Sequence, residues 1–131
     1  MDERKEKHFI EHFITKSRQD RLLYELFSPK KRNEGIERFC HQADNFLEPG
    51  KIRIKDSNLE HLPAFLKFVQ EHDEPVYVLS PDPVLNEQVI TLTIAVDEAA
   101  ANSDAVILLG DTFAIVFAEA EKSGRDKYLL Y

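Results

Sequence analysis

Cysteine is nearly missing from this chain, which has a single one, Cys40, among 131 residues. One thiol can neither close an intramolecular disulfide nor build a cysteine-based zinc site, and it suits a reducing compartment. Tryptophan is absent and glycine occurs only four times, at 35, 50, 110 and 124. Scattered glycines supply no G-x-x-x-x-G-K, G-x-G-x-x-G or G-x-S-x-G motif, so phosphate-cradling loops and the nucleophile elbow are excluded. Apolar runs are short, the longest being 113–118, far below the roughly 18 residues of a membrane span. The start, Met1-Asp2-Glu3-Arg4-Lys5-Glu6-Lys7, lacks the apolar stretch of a secretory signal. Together these absences predict a cytoplasmic protein with no membrane partner and no cofactor.

What is present describes one globular domain over 1–131. Hydrophobic residues make up 43% of the chain and charged residues 31%, with nine Phe and four Tyr, enough to bury a core. The net charge is −7, from 17 Lys and Arg against 24 Asp and Glu. It is unevenly spread: residues 1–55 hold 13 of the basic and 10 of the acidic side chains, leaving 4 and 14 for residues 56–131.

The spacing of apolar residues predicts helices first and strands last, an α+β fold with a mostly antiparallel sheet and a C-terminal β-meander. Phe9, Ile10, Phe13 and Ile14 form one helical stripe, and Leu22, Leu23, Leu26 and Phe27 form another after Ser17-Arg18-Gln19-Asp20, which has the form of a capping box. Ser28-Pro29 reads as the N-cap and first residue of a third helix. That helix carries Ile36, Phe39, Cys40, Ala43 and Leu47 on its buried side and stops at Glu48-Pro49-Gly50. Residues 51–55 alternate as a strand. A fourth helix is expected from Leu62 or Pro63, with Phe65, Leu66 and Val69 inward. A strand over 76–80, a short strand at Val89-Ile90 and a helix over 91–102 follow. The end of the chain reads as a strand over 105–109, a two-residue loop at Gly110-Asp111, a long strand over 112–121, a loop over 122–126 and a last strand over 127–131. On the long strand both faces are apolar, so it belongs in the middle of the sheet with cover on both sides. The last strand, blunted only by Lys127, predicts an open edge and weak self-association.

Several of these segments resemble a family of small bacterial proteins. Asp20-Arg21-Leu22-Leu23-Tyr24-Glu25-Leu26 with Ser28-Pro29-Lys30-Lys31-Arg32 is similar to its opening, and Arg38-Phe39-Cys40-His41 to a second block. Tyr77-Val78-Leu79-Ser80, an acidic turn, Leu92 and Ala95 in a helix and a terminal hairpin are similar to the rest. The family has no assigned activity, so the resemblance implies the segment order and the helix over 91–102, and no catalytic residue.

Three motifs could carry chemistry. His8-Phe9-Ile10-Glu11-His12 has the H-x-x-E-H pattern, in which two histidines one helical turn apart hold zinc and the glutamate acts as base. It gives the alternative reading of a small metal-dependent hydrolase, against which stand the missing third ligand and a position close to the charged terminus. Cys40-His41 suggests a thiol with a base, but adjacent helical residues point about 100° apart, and Cys40 falls on the apolar stripe, which predicts a buried structural thiol. Lys30, Lys31, Arg32 and Arg38 form a basic patch at the start of the third helix, without the aromatic interleaving or fold motif of a nucleic-acid binder.

The reading that results is a non-enzymatic interaction or regulatory module, of an immunity type, that binds a basic protein. Its expected contacts are Asp82, Glu87, Asp97 and Glu98, which follow the strand at 76–80 in the acidic half. An acidic face raises the encounter rate with a cationic partner and repels nucleic acid.

Overall fold

The computed structural model describes residues 1–122 and 124–131. Six helices and six strands follow in the order α1 (Glu3–Phe13), α2 (Lys16–Leu26), α3 (Arg32–His41), α4 (Ala43–Phe46), β1 (Ile52–Lys55), α5 (Pro63–Glu71), β2 (Pro75–Leu79), β3 (Val89–Thr91), α6 (Leu92–Ala101), β4 (Val106–Leu109), β5 (Ala114–Phe117) and β6 (Lys127–Leu130). The strands form one antiparallel sheet in the order β1-β6-β5-β4-β2-β3, in which β4, β5 and β6 make the expected meander.

The sheet is covered on both sides because its strands are apolar on both faces. Tyr77, Leu79, Ile107, Leu109, Ala114, Val116, Tyr128 and Leu130 pack with α1 to α4. Val76, Val78, Val106, Leu108, Ile115, Phe117 and Leu129 pack with α5 and α6. The central position expected for the strand after Gly110 therefore holds, as does the split that puts Ile115 and Phe117 on one face and Ala114 and Val116 on the other.

Six expectations are corrected by packing. The long strand over 112–121 is only Ala114–Phe117. Its hairpin closes one residue later than Gly110-Asp111, because Gly110 N–H donates to Phe113 O at 2.9 Å. Asp111-Thr112 is the loop, and the Phe113 ring lies so close over Gly110 that a side chain there would collide with it. The third helix does not begin at Ser28, whose carbonyl instead accepts from Lys31 and Arg32 N–H in a turn. Nor does it run through to Leu47. It breaks at Gln42 (φ −132°, ψ 39°) so that 43–47 swings toward the end of α1, where Thr15 N–H donates to Phe46 O and Glu48 N–H to Phe13 O. The break keeps Ile36, Phe39, Cys40, Ala43 and Leu47 all buried. Leu66 is 48% exposed, since the inward stripe of α5 is Phe65 and Val69.

The sixth correction concerns the last strand. β6 is not an edge: it pairs with β5 on one side and β1 on the other. Lys127 is buried there, with Nζ donating to both carboxylate oxygens of Glu60 at 2.8 and 2.7 Å. The loop expected over 122–126 includes Ser123, which lies outside the described residues. Among the described residues, no helix is long and apolar enough to cross a membrane.

Two buried carboxylates tie the N-terminal helices together. Glu6 on α1 is fully buried and accepts from Arg32 Nη1 and Nη2, both at 2.6 Å, and from the Tyr77 hydroxyl at 2.7 Å. Glu25 on α2 accepts from Arg38 Nη1 through both of its oxygens. Beside it Gly35 lets α3 close on α2, since a Cβ there would stand 2.8 Å from Glu25 Cβ.

Removing one partner of a buried pair strands the other charge. Arg32→Ala should therefore cost about 3–5 kcal/mol in urea unfolding, and Glu6→Gln in the same chain should restore part of that loss. Phe39→Ala should cost about 3–5 kcal/mol, because its ring is fully buried against Phe9 and Phe46. His41→Ala, at an exposed position, should leave the urea midpoint close to that of wild type.

Candidate functional site

A groove crosses the end of the sheet where β2 and β5 finish and β4 and β6 begin. Its inner wall is the C-terminal turn of α3 with α4, placed there by the two arginine clamps, Arg32 at the start of α3 and Arg38 in its last turn. It consists of two adjoining clefts of about 570 and 560 Å³ that share Cys40, His41, Gln42 and Glu119. Eight carboxylates line them: Glu34, Glu37, Asp104 and Glu119 in the first, and Asp44, Asp56, Glu121 and Asp126 in the second.

The cations of the groove are already engaged. Arg38 is held by Glu25, and Lys55 Nζ donates to Asp44 at 3.0 and 2.9 Å. Arg125 donates to the carbonyl oxygens of Ala118, Ala99 and Asp104, so its guanidinium fixes the loop and satisfies no carboxylate hydrogen bond. Burial lowers its pKa, against the pull of Glu60 and Asp104. Tyr128 donates its hydroxyl to Asp44 Oδ1 at 2.7 Å, which holds that carboxyl below the usual carboxylate range. Glu37, Glu121 and Asp126 make no ion pair or side-chain hydrogen bond among the described residues, and all three are exposed.

At the junction of the clefts His41 Nδ1 lies 2.9 Å from Glu119 Oε2. The hydrogen bond to that carboxylate, and then its charge, raise the histidine pKa. Cys40 is buried, as its stripe position predicts, and burial with the nearby charges of Glu119 and Glu37 pushes its thiol up to about 12. A thiol in that state is neutral near pH 7 and a poor nucleophile.

The residues singled out from the sequence are dispersed. Asp82 is a turn residue whose Oδ1 accepts Val84 N–H and whose Oδ2 accepts Asn102 Nδ2. Glu87, at φ 65°, faces the Glu6 network, 3.5 Å from Arg32 Nε and 2.8 Å from the Met1 amino group. Asp97 and Glu98 are exposed on α6, in the layer on the other side of the sheet. None of the four lines the groove. His8 and His12 stack with ring centroids 4.0 Å apart, but His12 Nδ1 meets the His8 carbonyl at 3.0 Å, and Glu11 is within 3.9 Å of Lys7. Among the described residues no three His, Cys, Asp or Glu side chains converge as a metal site. Of the basic patch, Arg32 and Arg38 are the internal clamps, which leaves Lys30 and Lys31 outward. The groove carboxylates escaped the sequence reading because they come from five separate segments. The one local signal was the pair Glu34 and Glu37 beside Cys40-His41.

The His41 imidazole should titrate above its ordinary 6.5, and Glu119→Gln should return it toward that value in an NMR titration. The sign follows from the raised folded-state pKa: the pair stabilises the fold fully below about 6.5 and loses that contribution as pH rises through the raised midpoint. No family model, curated protein or solved structure matches this chain.

Proposed function

We propose that this chain is a non-enzymatic interaction module that receives a basic segment of another protein in the acidic groove. The observation that carries this reading is the imbalance of the groove: of its eight carboxylates Asp44 is met by Lys55, Glu119 by His41 and Glu34 by Lys31, Arg38 and Arg125 are engaged elsewhere, and Glu37, Glu121 and Asp126 have no partner among the described residues. A concave site lined with one sign of charge focuses its field on ligands of the other sign and speeds their capture. Lysine and arginine side chains reaching Glu37, Glu121 and Asp126 would gain charge-assisted hydrogen bonds without displacing an existing partner. An immunity-type protein that covers a cationic partner would work by this physics, in the cytoplasmic setting that the single buried thiol suits. The family resemblance read from the sequence supplies no activity, so the reading rests on the groove. The exposed Asp97 and Glu98 would add long-range attraction rather than contacts.

A lysine- and arginine-rich peptide should shift the amide signals of residues 40–43, 118–121 and 126 in an NMR titration, while a glutamate-rich peptide of equal length should not. Glu37→Lys with Glu121→Lys should weaken the basic peptide by about tenfold and flatten its salt dependence. Binding should also tighten as pH rises through the His41 midpoint, because loss of that proton makes the groove more negative. Shifts confined to α6, or equal binding of the acidic peptide, would sink the groove reading.

A further inference from the structure

The two walls of the groove are built differently. The inner wall rides on α3 and α4, whose main chains are held by their own helical hydrogen bonds. The outer wall is irregular: residues 102–104, 118–120, 125 and 126 belong to no helix and no strand. Yet it carries four of the eight carboxylates, those of Asp104, Glu119, Glu121 and Asp126. Like charges gathered on irregular backbone push it apart, so something else must hold this wall in shape.

Arg125 stands at the meeting point of its segments. Nε donates to Ala118 O at 2.6 Å, Nη1 to Ala99 O at 2.9 Å and Nη2 to Asp104 O at 2.6 Å. These carbonyls belong to the start of the outer wall, the last turn of α6 and the turn before β4. Ala118 N–H to Asp126 O at 2.9 Å and Ala120 N–H to Ser103 O at 3.2 Å complete the seam. The guanidinium lies 5.4 Å from the centre of the Phe117 ring, which packs in the layer of α5 and α6. A cation placed among four carboxylates thus gives each of these bonds to the main chain behind the wall.

We propose that Arg125 is the positioning residue of the groove: by tying Ala118, Ala99 and Asp104 together from behind, it presents Glu119 to His41 and sets Glu121 and Asp126 toward a basic ligand. This role rests on the groove being the binding site, and it names what fixes the outer half of that site. A guanidinium suits the task because its N–H groups diverge in one rigid plane and reach three acceptors at once. A lysine ammonium carries the same charge on a flexible stem and has no such fork. Arg125→Lys therefore separates geometry from charge.

His41 reports on the position of the wall. Glu119 and Glu121 face it from the outer side and both raise its pKa, while Arg38 on its own helix is occupied by Glu25. Asp104, Glu34 and Glu37 line the same cleft. In Arg125→Lys, confirmed as folded by circular dichroism, the His41 midpoint in an NMR titration should fall toward 6.5. The lysine- and arginine-rich peptide should bind about tenfold more weakly although the net charge is unchanged. Lys122→Ala, at an exposed position in the same segment, should leave both close to wild type. In the unaltered chain the Nε–H of Arg125 should exchange with water more slowly than that of the exposed Arg18. An unmoved His41 midpoint or an unchanged peptide affinity in Arg125→Lys overturns the proposal. So does an Arg125 Nε–H that exchanges as fast as that of Arg18, a measurement that needs no variant to fold. A wild-type chain that binds no basic peptide sinks the groove reading instead, and the His41 midpoint and the Nε–H exchange then decide whether Arg125 holds the wall.

Discussion

The ion pair of Glu6 and Arg32 is the constraint on which the arrangement of the helices depends. Glu6 is wholly buried, and two guanidinium nitrogens with one phenol answer its carboxylate. Such a pair contributes little net stability relative to an apolar pair of the same shape, because removing both charges from water offsets most of their attraction. Its effect is on geometry. α3 can meet α1 and β2 in one register only, since any slip leaves a buried charge without a partner. Six residues further along, Arg38 repeats the arrangement with Glu25 of α2. With the first and last turns of α3 both held in this way, its C-terminal end is fixed as the wall of the groove.

Much of the architecture was legible because it depends on local periodicity. The apolar stripe through Ile36, Phe39 and Cys40, the alternating faces of 113–117 and the switch from strand to helix at Thr91 are each set within a few residues. The break at Gln42 was not legible. Gln42 and Ala43 are good helix formers, and the force that bends the chain there is the docking of Leu47 beside Ile14, 33 residues earlier. The interior place of β6 was hidden for the same reason, since its second neighbour, β1, lies some 75 residues upstream. Leu66 was misread because a helical stripe one residue too wide looks the same in sequence as the true one.

Charge was legible only as a sum. Arg32 and Arg38 count toward the basic first half, yet both are internal clamps, and their charge is met within the fold. The acidic second half does not form one face either. The helices of the first half lie on strands of the second, so Glu34, Glu37 and Asp44 stand opposite Asp104, Glu119, Glu121 and Asp126 across one groove. A tally by sequence position separates residues that the fold brings together, and no spacing rule could have joined them.

The interior position of β6 bears on how the chain can be made. β1 emerges early from the ribosome, but its sheet neighbour among the described residues is β6, some 75 residues later. Until Leu130 has been synthesised, β5 lacks one flank and β1 has no partner at all. The aromatic undersides of α1 and α3, with Phe9, Phe13 and Phe39, have no completed sheet to cover them during that interval. Pairings of such long sequence separation form late and slowly, and they leave apolar surface open to aggregation while they wait. The sheet is thus completed by one of the least local pairings in the fold, and apolar surface stays open until β1 and β6 meet.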